Sequence, residues 1–156
     1  MRTYAAVVLL LLVAACSGSN AKDDFPGLMD RVMEYYGHEQ NQEWTKTYEL
    51  RSPGFRKSVP LATYVEQMRR DSAGWKLEAF SVLDVKKKDG KAQVSMQFVE
   101  LAPASFARNT GAKEVKDPLK MSLIESSVWI LVDGKWYCYD AVSRMHLSAN
   151  NPVVPE

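Results

Sequence analysis

Residues 75–99, WKLEAFSVLDVKKKDGKAQVSMQFV, decide the fold class, because here the apolar period changes from helical to alternating. Asp89-Gly90 sits between two such runs, a dipeptide that favours a two-residue hairpin turn. Pairing across it sets Val85 opposite Val94, Leu83 opposite Met96 and Ser81 opposite Phe98. Those pairs make one apolar face, while Asp84, Lys86, Gln93, Ser95 and Gln97 fall on the other.

The same signal recurs downstream at Asp133-Gly134, joining 121–132 to 135–141. Here Leu131 is expected opposite Trp136, Trp129 opposite Cys138 and Val128 opposite Tyr139. Both faces of this hairpin are largely apolar, which predicts a central position covered on both sides. The stretch 102–118, with Pro103, Gly111 and Pro118, is a long connection of the kind that is often functional or mobile.

Upstream the period is helical. Phe25, Leu28, Met29, Val32, Met33 and Tyr36 form one stripe, with Asp23, Asp24 and Pro26 as a start signal and Gly37 as the expected stop. A second helical stretch runs from about Gln42 to Leu50, carries Trp44 and Tyr48, and breaks at Ser52-Pro53-Gly54. A third starts near Ser58, with Pro60 in its first turn and the stripe Leu61, Tyr64, Val65 and Met68, and ends before Gly74. Helices followed by antiparallel hairpins predict an α+β domain with the helices packed on a curved sheet.

The chain has 156 residues, enough for one domain with a sizeable core. Its 20 Lys+Arg and 19 Asp+Glu leave a formal charge of +1, which argues against nucleic acid as a partner. Two cysteines and two histidines offer little to a metal centre, and neither a metal nor a cofactor is expected. No hydrolase nucleophile elbow, dinucleotide fingerprint, phosphate-binding loop, zinc-protease pair or Cys-x-x-Cys is present. His38 follows the first helix and His146 follows the last strand, positions that read as solvated.

Ahead of the domain, Arg2 precedes an unbroken apolar run from Ala5 to Ala15. Eleven residues are too few to span ~30 Å of hydrocarbon as a helix, which takes ~20. They suit a secretory signal, removed on export. Val13-Ala14-Ala15-Cys16 resembles the lipobox of bacterial lipoproteins, followed here by a soft Ser-Gly-Ser-Asn stretch. The resemblance implies cleavage before Cys16 and acylation of that residue, with the membrane as partner through its lipid. Ser17, in place of the inner-membrane-retaining Asp, favours the outer membrane of a bacterial cell envelope, with the domain facing the periplasm. The expected organisation is a signal peptide at 1–15, a polar tether at 16–22, one α+β domain at 23–147 and a loose tail at 148–156. An acylated Cys16 leaves Cys138 without a disulfide partner, so Cys138 reads as a small buried residue.

The order of elements, together with Trp44, Tyr48, Ser52-Pro53-Gly54-Phe55-Arg56, Val59-Pro60-Leu61 and Trp129…Asp133-Gly134-Lys135-Trp136-Tyr137, resembles the nuclear transport factor 2-like superfamily. The resemblance covers roughly residues 24–144. It implies a curved sheet wrapped around a long first helix, forming a cone with a pocket at its open end. The superfamily includes isomerases and dehydratases, whose chemistry needs a carboxylate in an apolar pocket and a donor for the developing oxyanion. Asp84, Glu100, Glu125 and Asp140 are the strand carboxylates, and Tyr35, Tyr64, Tyr137 and Tyr139 the donors. Asp140 and Asp84 are the weak catalytic candidates, Asp140 because it shares an alternation face with Trp136 and Cys138.

Lys86-Lys87-Lys88-Asp89-Gly90-Lys91 reads as a hairpin end kept soluble by lysine, with contact to anionic headgroups as the alternative. Four Trp, seven Tyr and five Phe at core spacing read chiefly as core, although Trp129, Trp136 and Tyr139 are candidates to line a pocket. The expected role is non-catalytic binding, either of a small apolar ligand in the cone or of an envelope protein. The alternative is an isomerase- or dehydratase-like pocket enzyme using a buried carboxylate.

Overall fold

The stripe that begins at Phe25 forms helix α1 (Leu28–Gln40) in a computed structural model that describes residues 24–103, residue 106 and residues 118–141. The expected signal segment, tether and tail, together with Cys16, His146 and most of the 102–118 connection, lie outside the described residues.

α1 does not stop at Gly37. It runs on to Gln40, and Gln42 takes the left-handed φ of 56° that ends it. The Gln42 amide donates to the Glu39 carbonyl at 2.9 Å and the Glu43 amide to that of His38 at 2.8 Å, the double bond of a Schellman cap. Glycine inside a helix costs only ~1 kcal/mol, so Gly37 is tolerated there. The buried face is Leu28, Val32, Tyr35 and Tyr36, whereas Met33 is 45% exposed. The stripe is thus rotated toward Tyr35 from the one read off the sequence.

Helices α2 (Trp44–Glu49), α3 (Pro53–Ser58) and α4 (Leu61–Asp71) follow. Ser52-Pro53-Gly54 starts a helix rather than only ending one: Ser52 Oγ accepts from the Phe55 amide at 3.3 Å and Pro53 occupies the first turn. Trp44, Phe55, Tyr64 and Met68 from these helices make a small core of their own.

The sheet is an antiparallel meander, β1 (Lys76–Lys88), β2 (Lys91–Ala102), β3 (Leu119–Val132) and β4 (Lys135–Ala141), in that spatial order. Asp89-Gly90 and Asp133-Gly134 make its tight turns, with φ of 52° and 75°, and of 48° and 74°. Both central residues being left-handed is the type I′ geometry that matches strand twist. The fold is therefore α+β, helices packed on an antiparallel sheet that three bulges bend.

Those bulges correct the expected register. Val85 pairs with Val94, but Leu83 is an inserted residue, so Val82 meets Met96 and Phe80 meets Phe98. The insertion lets Phe80, Val82 and Val85 all pack on the core and leaves Leu83 49% exposed. A further shift at Glu78 sets Leu77 against Glu100. On β4, Leu131–Trp136 and Trp129–Cys138 pair as expected, but a bulge at Tyr139 gives Val128 to Asp140.

The β3–β4 hairpin is not central. Among the described residues β4 borders the sheet, and it meets only an isolated parallel bridge from Arg51 to Cys138 on its free side. The outer face of β3 is covered at Ile130 but open at Ile124, which is 71% exposed. The core lies on the inner face, where Ala92, Val94, Met96 and Phe98 of β2, Trp129 of β3 and Trp136 and Cys138 of β4 meet α1. Each fully buried large side chain contributes ~1.5–3 kcal/mol, so this interface dominates the stability of the domain.

Candidate functional site

The space enclosed by α1 and the sheet is occupied by aromatic rings. Trp129 is fully buried, with Tyr35 edge-on to it at 5.8 Å, and its indole Nε1 donates to Ser127 Oγ at 2.9 Å. Tyr36 stacks with Phe98 at 5.1 Å and with Phe80 at 5.9 Å. Trp129 thus serves as core.

Beside these rings lies a buried polar cluster that sequence reasoning missed. Arg51 follows α2 on a short link whose backbone locks onto β4: the Cys138 amide donates to the Leu50 carbonyl at 2.9 Å, and the Ser52 amide to the Cys138 carbonyl at 3.0 Å. The Arg51 guanidinium stands 4.1 Å from the Phe55 ring centroid, donates from Nη2 to the Tyr139 carbonyl at 3.2 Å, and lies 3.8 Å from Cys138 Sγ through Nη1. Tyr35 shares a hydrogen bond with the guanidinium, and the Tyr64 hydroxyl donates to Thr47 Oγ1 at 3.2 Å.

Burial pushes the Cys138 thiol and the Tyr64 phenol each up to about 12, although the Arg51 cation pulls both down. Burial likewise raises Tyr35 well above the usual phenol range. Burial disfavours the Arg51 cation, but Cys138, Tyr35 and Tyr64 more than offset that, and its pKa is raised. At neutral pH the cluster is one guanidinium among neutral hydroxyls and a thiol, an arrangement suited to holding α2 and β4 together. No periodicity marks Arg51 in Leu50-Arg51-Ser52-Pro53, so nothing local distinguishes it from an ordinary surface arginine.

Of the other candidates, Tyr139, Asp140 and Trp136 border surface clefts. Tyr139 and Asp140 border one of ≈ 240 Å³ with Lys88, Lys91, Gln93 and Val128, where Lys91 Nζ sits 3.4 Å over the Tyr139 ring. The bulge at Tyr139 carries Asp140 onto the outer face with Val128, away from Trp136 and Cys138. Trp136 borders a second cleft, ≈ 350 Å³, with Pro26, Gly27, Arg31 and Lys135. Its Nε1 donates to the Pro26 carbonyl at 3.0 Å. Asp84 is exposed, and a hydrogen bond from Lys86 at 2.9 Å holds its carboxyl below the ordinary range. The structure therefore gives Asp84 and Asp140 no shared site.

Glu100 falls on the inner face and is 2% exposed, beside a narrow cleft that Glu39, Gln42, Trp44, Ser72, Trp75 and Leu77 also line. It lies at the opposite end of the sheet from the two tight turns. Among the described residues, no group of three or more His, Cys, Asp or Glu is placed to hold a metal ion. His38 instead contacts Glu43 at 2.7 Å.

No family model and no curated protein matches this chain. Among solved structures it is similar to a SEC-C motif containing protein from Rhodopseudomonas palustris, at 14% identity over 66% of this chain and 67% of that one, TM-score 0.47. It is similar to another SEC-C motif containing protein, from Psychrobacter arcticus, at 11% identity over 73% of this chain and 59% of that one, TM-score 0.45. A putative dehydratase from the NTF2-like family of Streptomyces avermitilis is 9% identical over 70% of this chain and 87% of that one, TM-score 0.45.

Proposed function

We propose that this protein is a lipid-anchored, periplasm-facing binding module of the bacterial outer membrane, without catalytic activity, whose partner is an envelope protein met at its surface. The observation that carries this reading is the filling of the interior by Trp129, Tyr35, Tyr36 and Phe98. A small apolar ligand needs vacant apolar volume, and those rings occupy the space beneath the sheet. Among the described residues this leaves the surface for recognition, including the clefts at Trp136 and Tyr139. The test is a photo-crosslinking amino acid placed at Tyr139 or at exposed Ile124 of the full chain in cells. A discrete adduct with one envelope protein is expected. A native mass spectrum of the full chain that carries a reproducible small-molecule mass, with no protein adduct, would overturn the reading.

The second reading is the isomerase- or dehydratase-like enzyme, and burial of the Glu100 carboxylate in an aromatic-edged cleft favours it. Burial is what tunes a carboxylate for proton transfer. A co-purifying small molecule lost in Glu100→Gln, with the melting temperature unchanged, would decide for it.

A further inference from the structure

The Trp136 cleft continues onto Tyr137. Arg31 of α1 lines that cleft with Lys135, and its guanidinium carbon stands 6.0 Å from the centroid of the Tyr137 ring. The Arg56 guanidinium, carried by α3, stands over the same ring at 5.7 Å. The two charges therefore lie within the span of a few residues of extended chain.

Both arms are held in place. Arg31 Nε donates to the Trp136 carbonyl at 3.3 Å, and its Nη1 to the Glu34 carboxylate at 2.7 Å. The Tyr48 hydroxyl reaches the carbonyls of Val59 at 2.7 Å and Arg56 at 3.0 Å, which pins the end of α3. Among the described residues the Arg56 side chain makes neither a hydrogen bond nor an ion pair, although its Nε is buried. An unsatisfied buried donor on a fixed cation is a place that an anion completes.

The charges at this place do not cancel. Glu34 offsets Arg31, but Arg56 and Lys135 have no carboxylate partner among the described residues. Asp30 and Asp133 are exposed, pair with neither arginine and stand outside the lining of the cleft. Elsewhere carboxylates share the lining: Asp89 and Asp140 with Lys88 and Lys91 at Tyr139, and Glu43 with Lys46 and Arg69 between α2 and α4.

We infer that Arg31, Arg56 and Lys135 around Tyr137 dock an acidic segment of the protein partner, one carrying two carboxylates roughly two to four residues apart. The inference rests on the surface-partner reading proposed above and gives it a site and a chemistry. Guanidinium forks match carboxylates bidentately. Two fixed arms take two acceptors, which an acidic stretch of chain supplies and a single small anion does not. Tyr, Trp and Arg are also the residue types that dominate protein interfaces, and Trp136 and Pro26 wall the cleft.

The test uses the full chain, with fluorescein-labelled octaglutamate as probe and octaglutamine as its uncharged control. Octaglutamate is expected to bind and octaglutamine not, with Arg56→Gln weakening the binding about tenfold at a wild-type melting temperature. Lys76→Gln removes the same charge at the far end of the sheet and should change nothing. Should Arg56→Gln melt early, Arg56→Lys, which keeps the charge and loses the fork, is expected to weaken binding in the same direction. In cells, a photo-crosslinking residue at exposed Lys57, next to Arg56, should capture a partner peptide with closely spaced Asp or Glu, and Arg56→Gln should abolish the adduct. No octaglutamate binding, equal weakening by Lys76→Gln, displacement by equimolar inorganic phosphate, or a captured peptide without carboxylates would overturn the inference. The crosslinking positions separate the failures. An adduct at Tyr139 or Ile124 but none at Lys57 overturns this site alone, and no protein adduct at any of the three overturns the partner reading with it.

Discussion

Arg51 and Cys138 are joined through both backbone and side chain: they form the parallel bridge that ties the α2–α3 link to β4, and the Arg51 Nη1 lies 3.8 Å from the Cys138 sulfur. This contact is where the helical layer closes on the border of the sheet, and it buries a full charge. Such a group stabilises only while its partners stay in place.

Arg51→Ala is expected to destabilise the domain by about 2–4 kcal/mol, because it empties the space beside Phe55 and leaves the Tyr139 carbonyl without its donor. Thermal or urea unfolding reads this, and a change within experimental error would mean the guanidinium contributes nothing to the closure.

The same cluster sets an alkaline limit. Cys138 and Tyr64 have ordinary values of 9.0 and 10.0, and burial pushes both up to about 12 in the folded chain. Between about pH 9 and 12 the unfolded chain binds fewer protons than the folded one, so stability falls as pH rises through that window. The melting temperature should drop more steeply there in the wild type than in Cys138→Ala with Tyr64→Phe. Parallel slopes would place the loss elsewhere. In the folded chain at pH 8, Cys138 should also resist alkylation.

Leu83→Glu should cost less than ~0.5 kcal/mol, since the bulge turns this residue out of the sheet. Phe80→Ala should cost ~3 kcal/mol, because its ring packs on Tyr36. A simple ladder predicts the reverse order, so comparing the two variants by melting temperature tests the register directly.

Trp129→Ala and Trp136→Ala should each cost ~3–5 kcal/mol as core truncations. Trp136→Phe isolates the hydrogen bond to Pro26 and should cost ~1 kcal/mol. An unchanged melting curve for Trp136→Ala would mean that the ring lies on an open surface or in a vacant pocket rather than closing the start of α1 onto β4.

Cys16→Ala should abolish acylation and release the protein from the membrane fraction. Normal membrane attachment of this variant would refute the lipoprotein reading.

Much of this architecture is legible in the chain because it follows from local rules. Asp-Gly dipeptides between alternating runs dictate type I′ turns, and a 3.6-residue apolar period dictates a helix, whatever the rest of the molecule does. The single switch from helices to strands and the two Asp-Gly hairpins that define the α+β class are of this kind, as are the pairings next to each turn, Val85 with Val94 and Leu131 with Trp136. What tertiary structure alone decided lies farther from the turns. A one-residue bulge flips every later side chain to the other face, and only packing against α1 favours exposing Leu83 so that Phe80 and Val82 can be buried. The same holds for Asp140, moved off the inner face by the bulge at Tyr139, and for Tyr35, which replaces Met33 on the buried face of α1. Arg51 is the extreme case. Its meaning depends on Cys138, Tyr139 and Tyr35, residues distant in sequence that only the closed fold brings within reach, and no local pattern encodes that meeting.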